Sequence, residues 1–299
     1  MRRLSLAVGA ADAGERIDRF IAARGGISRG EARRALGTGG VFLDGRRCKV
    51  AGRAVREGQR VVVNLAEGGR EAAAPPPLDR GRLLYADADV AAVDKPPGVP
   101  SQPTLTTDRG TLPELVSALL GAPVRLVHRL DRDTSGVTIF ARTPAAAAAL
   151  AAAFRDGAPE KTYLALCGRA PEPREGRLEA ALGRDPARAG LRRVDPHGEP
   201  AATRFRTLRE SPRAAAVEAR PETGRTHQIR VHLAHLGAPL LGDARYGGAR
   251  RVGELPIPRV LLHARRLELD HPVTGARLVL EAAVPEDFLA VERALLGPG

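Results

Sequence analysis

Residues 128–136 read His-Arg-Leu-Asp-Arg-Asp-Thr-Ser-Gly (HRLDRDTSG), and their place between two apolar runs decides the fold. Val124-Arg125-Leu126-Val127 precedes them and Val137-Thr138-Ile139-Phe140 follows. Both runs are rich in β-branched residues, which suit a pleated, half-buried surface, so both are expected as strands. A buried strand pair joined by so many charges is locally inconsistent, and functional sites are where such inconsistency is expected. The plainer reading is a surface hairpin whose charges are solvated. Against it stands the ending of the stretch: the hydroxyls of Thr134 and Ser135 can bond back to the chain, and Gly136 permits a sharp return. A loop built to keep one shape can aim one carboxylate.

Downstream, Glu160–Leu166 (EKTYLAL) alternates as a strand and sets Lys161 and Tyr163 on one face. The chain has six Phe, three Tyr and no Trp, so a tyrosine beside one of its three lysines carries weight, although packing is the commoner use of a strand tyrosine. Residues 221–237 (PETGRTHQIRVHLAHLG) space Ile229, Leu233 and Leu236 for an amphipathic helix from Thr226 that ends at Gly237. Arg225 and the helix start then face a polar site, with Arg230 and His227 on a shared face. His227, His232 and His235 invite a metal reading, but the spacing is not HExxH and no carboxylate lies between His227 and His235. Pro144–Phe154 is alanine-dense, with Thr143 to cap it and Gly157 to end it, and is expected as an ordinary helix.

Upstream, Leu83–Tyr85 and Val90–Val93 are expected strands, followed by a rigid turn at Asp94-Lys95-Pro96-Pro97-Gly98. Residues 66–79 (AEGGREAAAPPPLD) form a linker, flexible at its glycines and stiff at its prolines. Before it, Glu15–Arg24 has helical spacing, and Ser28-Arg29-Gly30-Glu31 is a capping box opening a second helix. Val41–Leu43 with the Asp44-Gly45 turn suggests a hairpin, and Arg60–Leu65 a closing strand. Arg29 and Arg33 can lie along one helix face and meet phosphates, or simply be solvated. Arg2-Arg3 and the run Leu4–Ala11 imitate a signal peptide, but the run is short and interrupted by Ser5 and Gly9, so a signal is rejected.

Composition bounds the function. With 299 residues, 43% of them hydrophobic, the chain can fill one large and one small domain, and no apolar run approaches the roughly 20 residues of a membrane helix. A net charge of +12 suits a polyanionic partner. Almost all of it is arginine, so base composition of the gene contributes, and the sign of the charge means more than the residue type. Cys48 and Cys167 give neither a disulfide framework nor zinc spacing, which fits a reducing cytoplasm.

The nonapeptide resembles the active-site signature HRLDxxTSG of the RluA-type pseudouridine synthases, a long and specific motif. KPPG at 95–98, KTY at 161–163 and GRTHQIRVH at 224–232 match further elements of that family in order, so the resemblance spans roughly residues 80 to 285. Residues 14 to 65 resemble the small RNA-binding fold first known from ribosomal protein S4. Together these imply an α+β protein: a small α/β-type RNA-binding domain at 1–65, the linker at 66–79, and a catalytic domain at 80–299 whose mixed, mostly antiparallel sheet is crossed by a central cleft. The implied reaction isomerises uridine to pseudouridine in RNA, without cofactor or metal. By the same resemblance Asp131 is catalytic, Arg230 pairs with it, and Tyr163 stacks on the target base. Arg129 fills the space the base vacates. His128, Arg225, Arg29 and Arg33 are expected to contact RNA, with Lys161, Lys95 and Leu262 in support; Asp133 falls on a variable position. Large-subunit ribosomal RNA is the favoured partner, transfer RNA the other candidate, and the protein is expected as a cytoplasmic monomer. Whether Asp131 attacks the sugar or acts as a base stays open. Two other classes compete: a non-catalytic, ribosome-associated RNA-binding protein and a metal-dependent hydrolase built on the histidines.

Overall fold

Ser28 opens a helix with the reciprocal bonds its sequence announces: its Oγ accepts the Glu31 N–H at 3.1 Å, and its own N–H donates to Glu31 Oε2 at 2.9 Å. Such a cap contributes about 1 kcal/mol by satisfying donors that a helix start leaves unpaired. The helix Arg29–Thr38 stops at Gly39 in the left-handed region and packs with Ile17–Gly25 on a four-stranded sheet. The sheet order is Arg2–Ala7, Arg60–Leu65, Val41–Leu43, Arg46–Arg47. Ile17, Phe20, Ile21, Leu36, Val41, Val61 and Val63 are fully buried at the helix–sheet junction. Arg2–Ala7, within the stretch that imitates a signal peptide, is paired residue for residue with Arg60–Leu65.

This computed structural model describes residues 2–65, 76–105 and 109–297. It divides into Met1–Pro76 with Gln102–Glu114, and Pro77–Ser101 with Leu115–Gly299. Most of the expected linker, residues 66–75, lies outside the described residues. The segment Gln102–Glu114, placed from sequence in the second domain, groups with the first, where Arg47 Nη2 donates to Thr104 O at 2.6 Å.

The second unit is organised on one ten-stranded sheet. Its order is Glu175–Glu179, Ala202–Ser211, Ala214–Pro221, Glu160–Cys167, Leu262–Asp270, Ser135–Ala141, Val90–Lys95, Leu83–Ala86. Arg277–Glu281 adds to Leu262–Asp270, and Arg125–Leu126 to Ser135–Ala141. Among the described residues every pairing is antiparallel except one: Ser135 and Gly136 run parallel to His263 and Ala264. The α+β class with a mixed, mostly antiparallel sheet is therefore the observed one. Helix Pro144–Asp156 is capped by Thr143 Oγ1 and ended by Gly157, as its sequence spells out. Among the described residues no helix is long and apolar enough to cross a membrane.

Two elements are shorter than expected, each for a visible reason. Of the run 124–127 only Arg125–Leu126 is paired, because the next ladder donor, Ile139 N–H, goes to His128 Nε2 at 3.0 Å rather than to backbone. The helix expected from Thr226 spans Gln228–His235, because His227 sits at φ 60, outside helical space.

Candidate active site

Every carbonyl from Leu130 to Thr134 has a donor, and this fixes where Asp131 points. Leu130 O accepts from Ser101 Oγ at 2.7 Å, and Asp131 O from the Thr134 N–H at 3.2 Å. Arg132 O takes the Gly98 N–H and Lys95 Nζ, both at 2.8 Å. Asp133 O accepts from Arg259 Nη1 at 3.1 Å, and Thr134 O from Lys95 Nζ at 2.8 Å. The third donor of Lys95 goes to Pro96 O at 3.0 Å. An ammonium has three donors and no acceptor, so this fully buried side chain is spent entirely on backbone. Burial lowers its pKa to about 7, against the opposing pull of Asp133 and Asp131. The lysine thus lies beneath the loop.

Gly136 has φ 113, and a Cβ built on it meets Ala264 O at 2.1 Å. The sequence suggested a glycine for a tight return; the structure needs one because the parallel strand passes this close. His128, expected to contact RNA, is held within the chain. Its ring stacks on Phe154 with centroids 4.4 Å apart, and its Nε2 is committed as an acceptor for Ile139 N–H. Burial lowers its pKa to about 3, so the imidazole is neutral and offers phosphate no cation.

Opposite the loop, Gln228 locks the start of the helix. Its Oε1 accepts from Thr223 Oγ1 and the Arg225 N–H, and its Nε2 donates to Ala202 O and Thr203 Oγ1. Two residues on, buried Arg230 reaches two carboxylates. Its Nε and Nη2 bond Asp243 Oδ2 and Oδ1 at 2.6 and 2.8 Å, and its Nη1 bonds Asp131 Oδ2 at 2.8 Å. The two-pronged contact is therefore with Asp243, while Asp131 receives one prong. The Tyr246 ring lies under the guanidinium, 5.0 Å from Cζ to centroid. Burial alone works against the Arg230 charge, but the bonds to Asp243 and the charge of Asp131 prevail and raise its pKa. The Tyr246 hydroxyl accepts the Arg192 N–H at 2.9 Å and is hydrogen-bonded to His227 Nδ1 at 2.7 Å. His227 Nε2 faces Asp131 Oδ2 at 3.7 Å.

Loop and helix meet over the middle of the sheet, where Tyr163 pairs with Ala219 and Ala264. They enclose an open cavity of about 570 Å³. Asp131, Arg230, Tyr163 and Lys161 line it, as do Arg129, His128, Arg225 and Leu262. Burial first, then the charge of Asp131, pushes the Tyr163 phenol up, so it stays protonated; it has no hydrogen-bond partner among the described residues. Arg129 is exposed at the rim and likewise unpaired there. Burial pushes the Lys161 amine down. Arg225 is tied to Pro200 O and Glu199 Oε2, both at 3.0 Å. The histidines of the helix have separate occupations: His232 bonds Thr203 Oγ1 and Ala180 O, away from His227. No group of three His, Cys, Asp or Glu side chains is arranged to hold a metal among the described residues.

Arg29 and Arg33 belong to the first unit and not to this cavity. Their Nε atoms bond Asp18 Oδ2 at 3.1 and 2.9 Å, and Arg16 Nε bonds Oδ1 at 3.1 Å. Burial of Asp18 favours its neutral form, but the three guanidiniums outweigh that and lower its pKa.

Comparison with known proteins places these features in one context. The family described as RNA pseudouridylate synthase matches residues 89–235, and the S4 domain family matches residues 15–61. An uncharacterized RNA pseudouridine synthase of Bacillus subtilis, YhcT, is 36% identical over 243 residues, covering 78% of each chain. The ribosomal large subunit pseudouridine synthase D of Xanthomonas campestris is 38% identical over 288 residues, 90% of this chain and 85% of that one. Among solved structures, human RNA pseudouridylate synthase domain containing 1 aligns with TM-score 0.59 and 28% identity, over 73% of this chain and 88% of that one.

Proposed function

The chain belongs to the RNA pseudouridylate synthase family, whose members are isomerases, and carries an RNA-binding S4 domain; from this premise we propose that it isomerises specific uridines of large-subunit ribosomal RNA, with Asp131 as the reacting carboxylate. The observation that carries the reading is the 2.8 Å bond from Arg230 Nη1 to Asp131 Oδ2, which joins two motifs 99 residues apart inside the cavity. The choice of RNA follows the large-subunit enzymes among the relatives.

The reaction breaks the bond from uracil N1 to ribose C1′ and forms one from C5 to C1′; C5 releases a proton and N1 ends protonated, so atoms and electrons balance within one nucleotide. The sugar carbon is inaccessible in a stacked strand, so the nucleotide is extruded into the cavity at a cost of roughly a few kcal/mol. Tyr163 then stacks on the base, with Leu262 beside it, and Arg129, unpaired at the rim, occupies the vacated space. Asp131 engages the sugar through its carboxylate. A polyanion is repelled by an aimed carboxylate, so a pure binder gains nothing from one here. Arg29 and Arg33, with the arginine-rich surface, supply phosphate contacts that position rather than specify. The protein acts as a monomer in the cytoplasm.

The test maps pseudouridines in RNA from cells with and without the gene. Loss of a large-subunit pseudouridine, restored by the purified protein, is expected. An unchanged map would refute the activity, and loss confined to transfer RNA would move the substrate.

A further inference from the structure

Asp131 has two carboxylate oxygens in unequal surroundings. Oδ2 accepts from Arg230 Nη1 at 2.8 Å and faces His227 Nε2 at 3.7 Å. Oδ1 has no hydrogen-bond partner among the described residues. What sets this asymmetry is the orientation of one guanidinium, and Arg230 does not set it alone. A guanidinium is a flat fork with five donors, and a carboxylate gripping Nε and Nη2 together leaves Nη1 as the remaining prong in a defined direction. Asp243 makes that grip at 2.6 and 2.8 Å and is itself 1% exposed. Tyr246, three residues later, closes the flat face of the fork and through its hydroxyl holds His227. The turn carrying both is pinned by close backbone approaches: a Cβ on Gly242 meets Arg259 O at 1.8 Å, and one on Gly248 meets Leu240 O at 1.8 Å.

We propose that Asp243 is a positioning residue for the isomerisation: it aims Arg230 so that Oδ2 of Asp131 is occupied and Oδ1 alone is presented to the ribose. Without Asp243 the fork is free to turn and grip Asp131 with two prongs, the commoner geometry for such a pair. Both oxygens are then bonded in the plane of the fork, and the reacting lone pair is lost although every charge of the pair remains. This rests on Asp131 being the reacting carboxylate, as proposed above.

The experiment follows tritium released to water from 5-tritiated uridine, using ribosomal RNA transcribed without modification and the full-length protein. Asp131→Asn is run first: if it keeps activity, the underlying reading fails and Asp243 is not the issue. With Asp131→Asn inactive, Asp243→Asn is expected to lose about a hundredfold in kcat with KM within about threefold, the signature of misaligned groups rather than lost binding. Two further variants keep the test decisive should Asp243→Asn fold poorly. Arg230→Lys keeps the charge but has one nitrogen for two carboxylates, so it stays with buried Asp243 and its kcat falls by about tenfold or more. Arg230→Ala should regain activity with added methylguanidinium while Asp243 is present, and not in the double variant with Asp243→Asn. Wild-type kcat in Asp243→Asn, wild-type kcat in Arg230→Lys, or equal rescue with and without the Asp243 carboxylate would each overturn the proposal.

Discussion

The two units each contain one buried ion surrounded by several opposite ones, with the stoichiometry reversed. In the first, the carboxylate of Asp18 is buried and draws Arg16, Arg29 and Arg33, whose side chains remain 42–53% exposed. In the second, the guanidinium of Arg230 is buried at 7% exposure and draws Asp243 at 1% and Asp131 at 21%. The same pair of groups thus shows the solvent opposite faces: a positive one in the first unit and a negative one in the second, the signs that the proposed function asks of a phosphate contact and of a reacting carboxylate. In each cluster the fully buried member organises, and the partly exposed member is free to act. The pairing of unlike charges costs each arginine or aspartate some of its solvation, which the fixed hydrogen bonds offset.

The sharpest way to break this comparison is to neutralise the exposed member of the second cluster. Asp131→Asn should lower the rate of tritium release by at least about a thousandfold while leaving RNA affinity within about threefold, since affinity rests on phosphate contacts. Retained activity would mean that the carboxylate beside Arg230 is not the working one.

Beneath the loop lies a buried cation of another kind, Lys95, which is bonded to three carbonyls and no carboxylate. Its pKa is about 7 folded and about 10.4 unfolded. Between these values the unfolded chain binds one more proton, so this group's contribution to stability rises with pH over that window and is least favourable below it. Denaturant unfolding at about pH 6 and about pH 9 should therefore show a rise that Lys95→Met removes, of order 1–3 kcal/mol. An identical slope in the variant would show that Lys95 titrates normally.

Removing the organiser of the first cluster makes a prediction of opposite sign to simple charge counting. Asp18→Asn raises the net charge by one, which alone would tighten RNA binding. If the arginines act as a held set, binding should instead weaken by roughly threefold to tenfold and the salt dependence should become shallower. Tighter binding in Asp18→Asn would remove the organising role. The smallest effect is the control carboxylate: Asp133→Asn, exposed and outside both clusters, should stay within about twofold of wild type in kcat. A larger loss there than in Asp131→Asn would reverse the assignment.

Much of this was legible in the sequence because it is written locally. The capping box at Ser28 and Glu31, the ends of helix Pro144–Asp156 and the alternation that brings Lys161 and Tyr163 to one wall are each decided within a few residues. The motifs at 128–136 and 224–232 named Asp131 and Arg230, which the structure brings into contact. What stayed hidden depends on partners far away in the chain. Nothing local distinguishes Asp243 from a turn residue until Arg230 is seen to grip it. His128 carries charge on paper, yet a stacked Phe154 and one backbone N–H decide that it stays neutral. Gly136 looked like a turn glycine because the strand that crowds it lies 128 residues downstream at Ser135's partner His263.

That lone parallel ladder has a consequence for the timing of synthesis. The strand that receives Ser135 and Gly136 begins at Leu262, and the Arg259 clamp on Asp133 O stands just before it. A growing chain that has emerged as far as His235 already spells out Asp131 and Arg230 but has neither Asp243 nor the strand against which the loop is fixed. Such a chain is expected to release no tritium in the assay above. By the proposed assignment, activity is expected to begin only once the strand from Leu262 has left the ribosome.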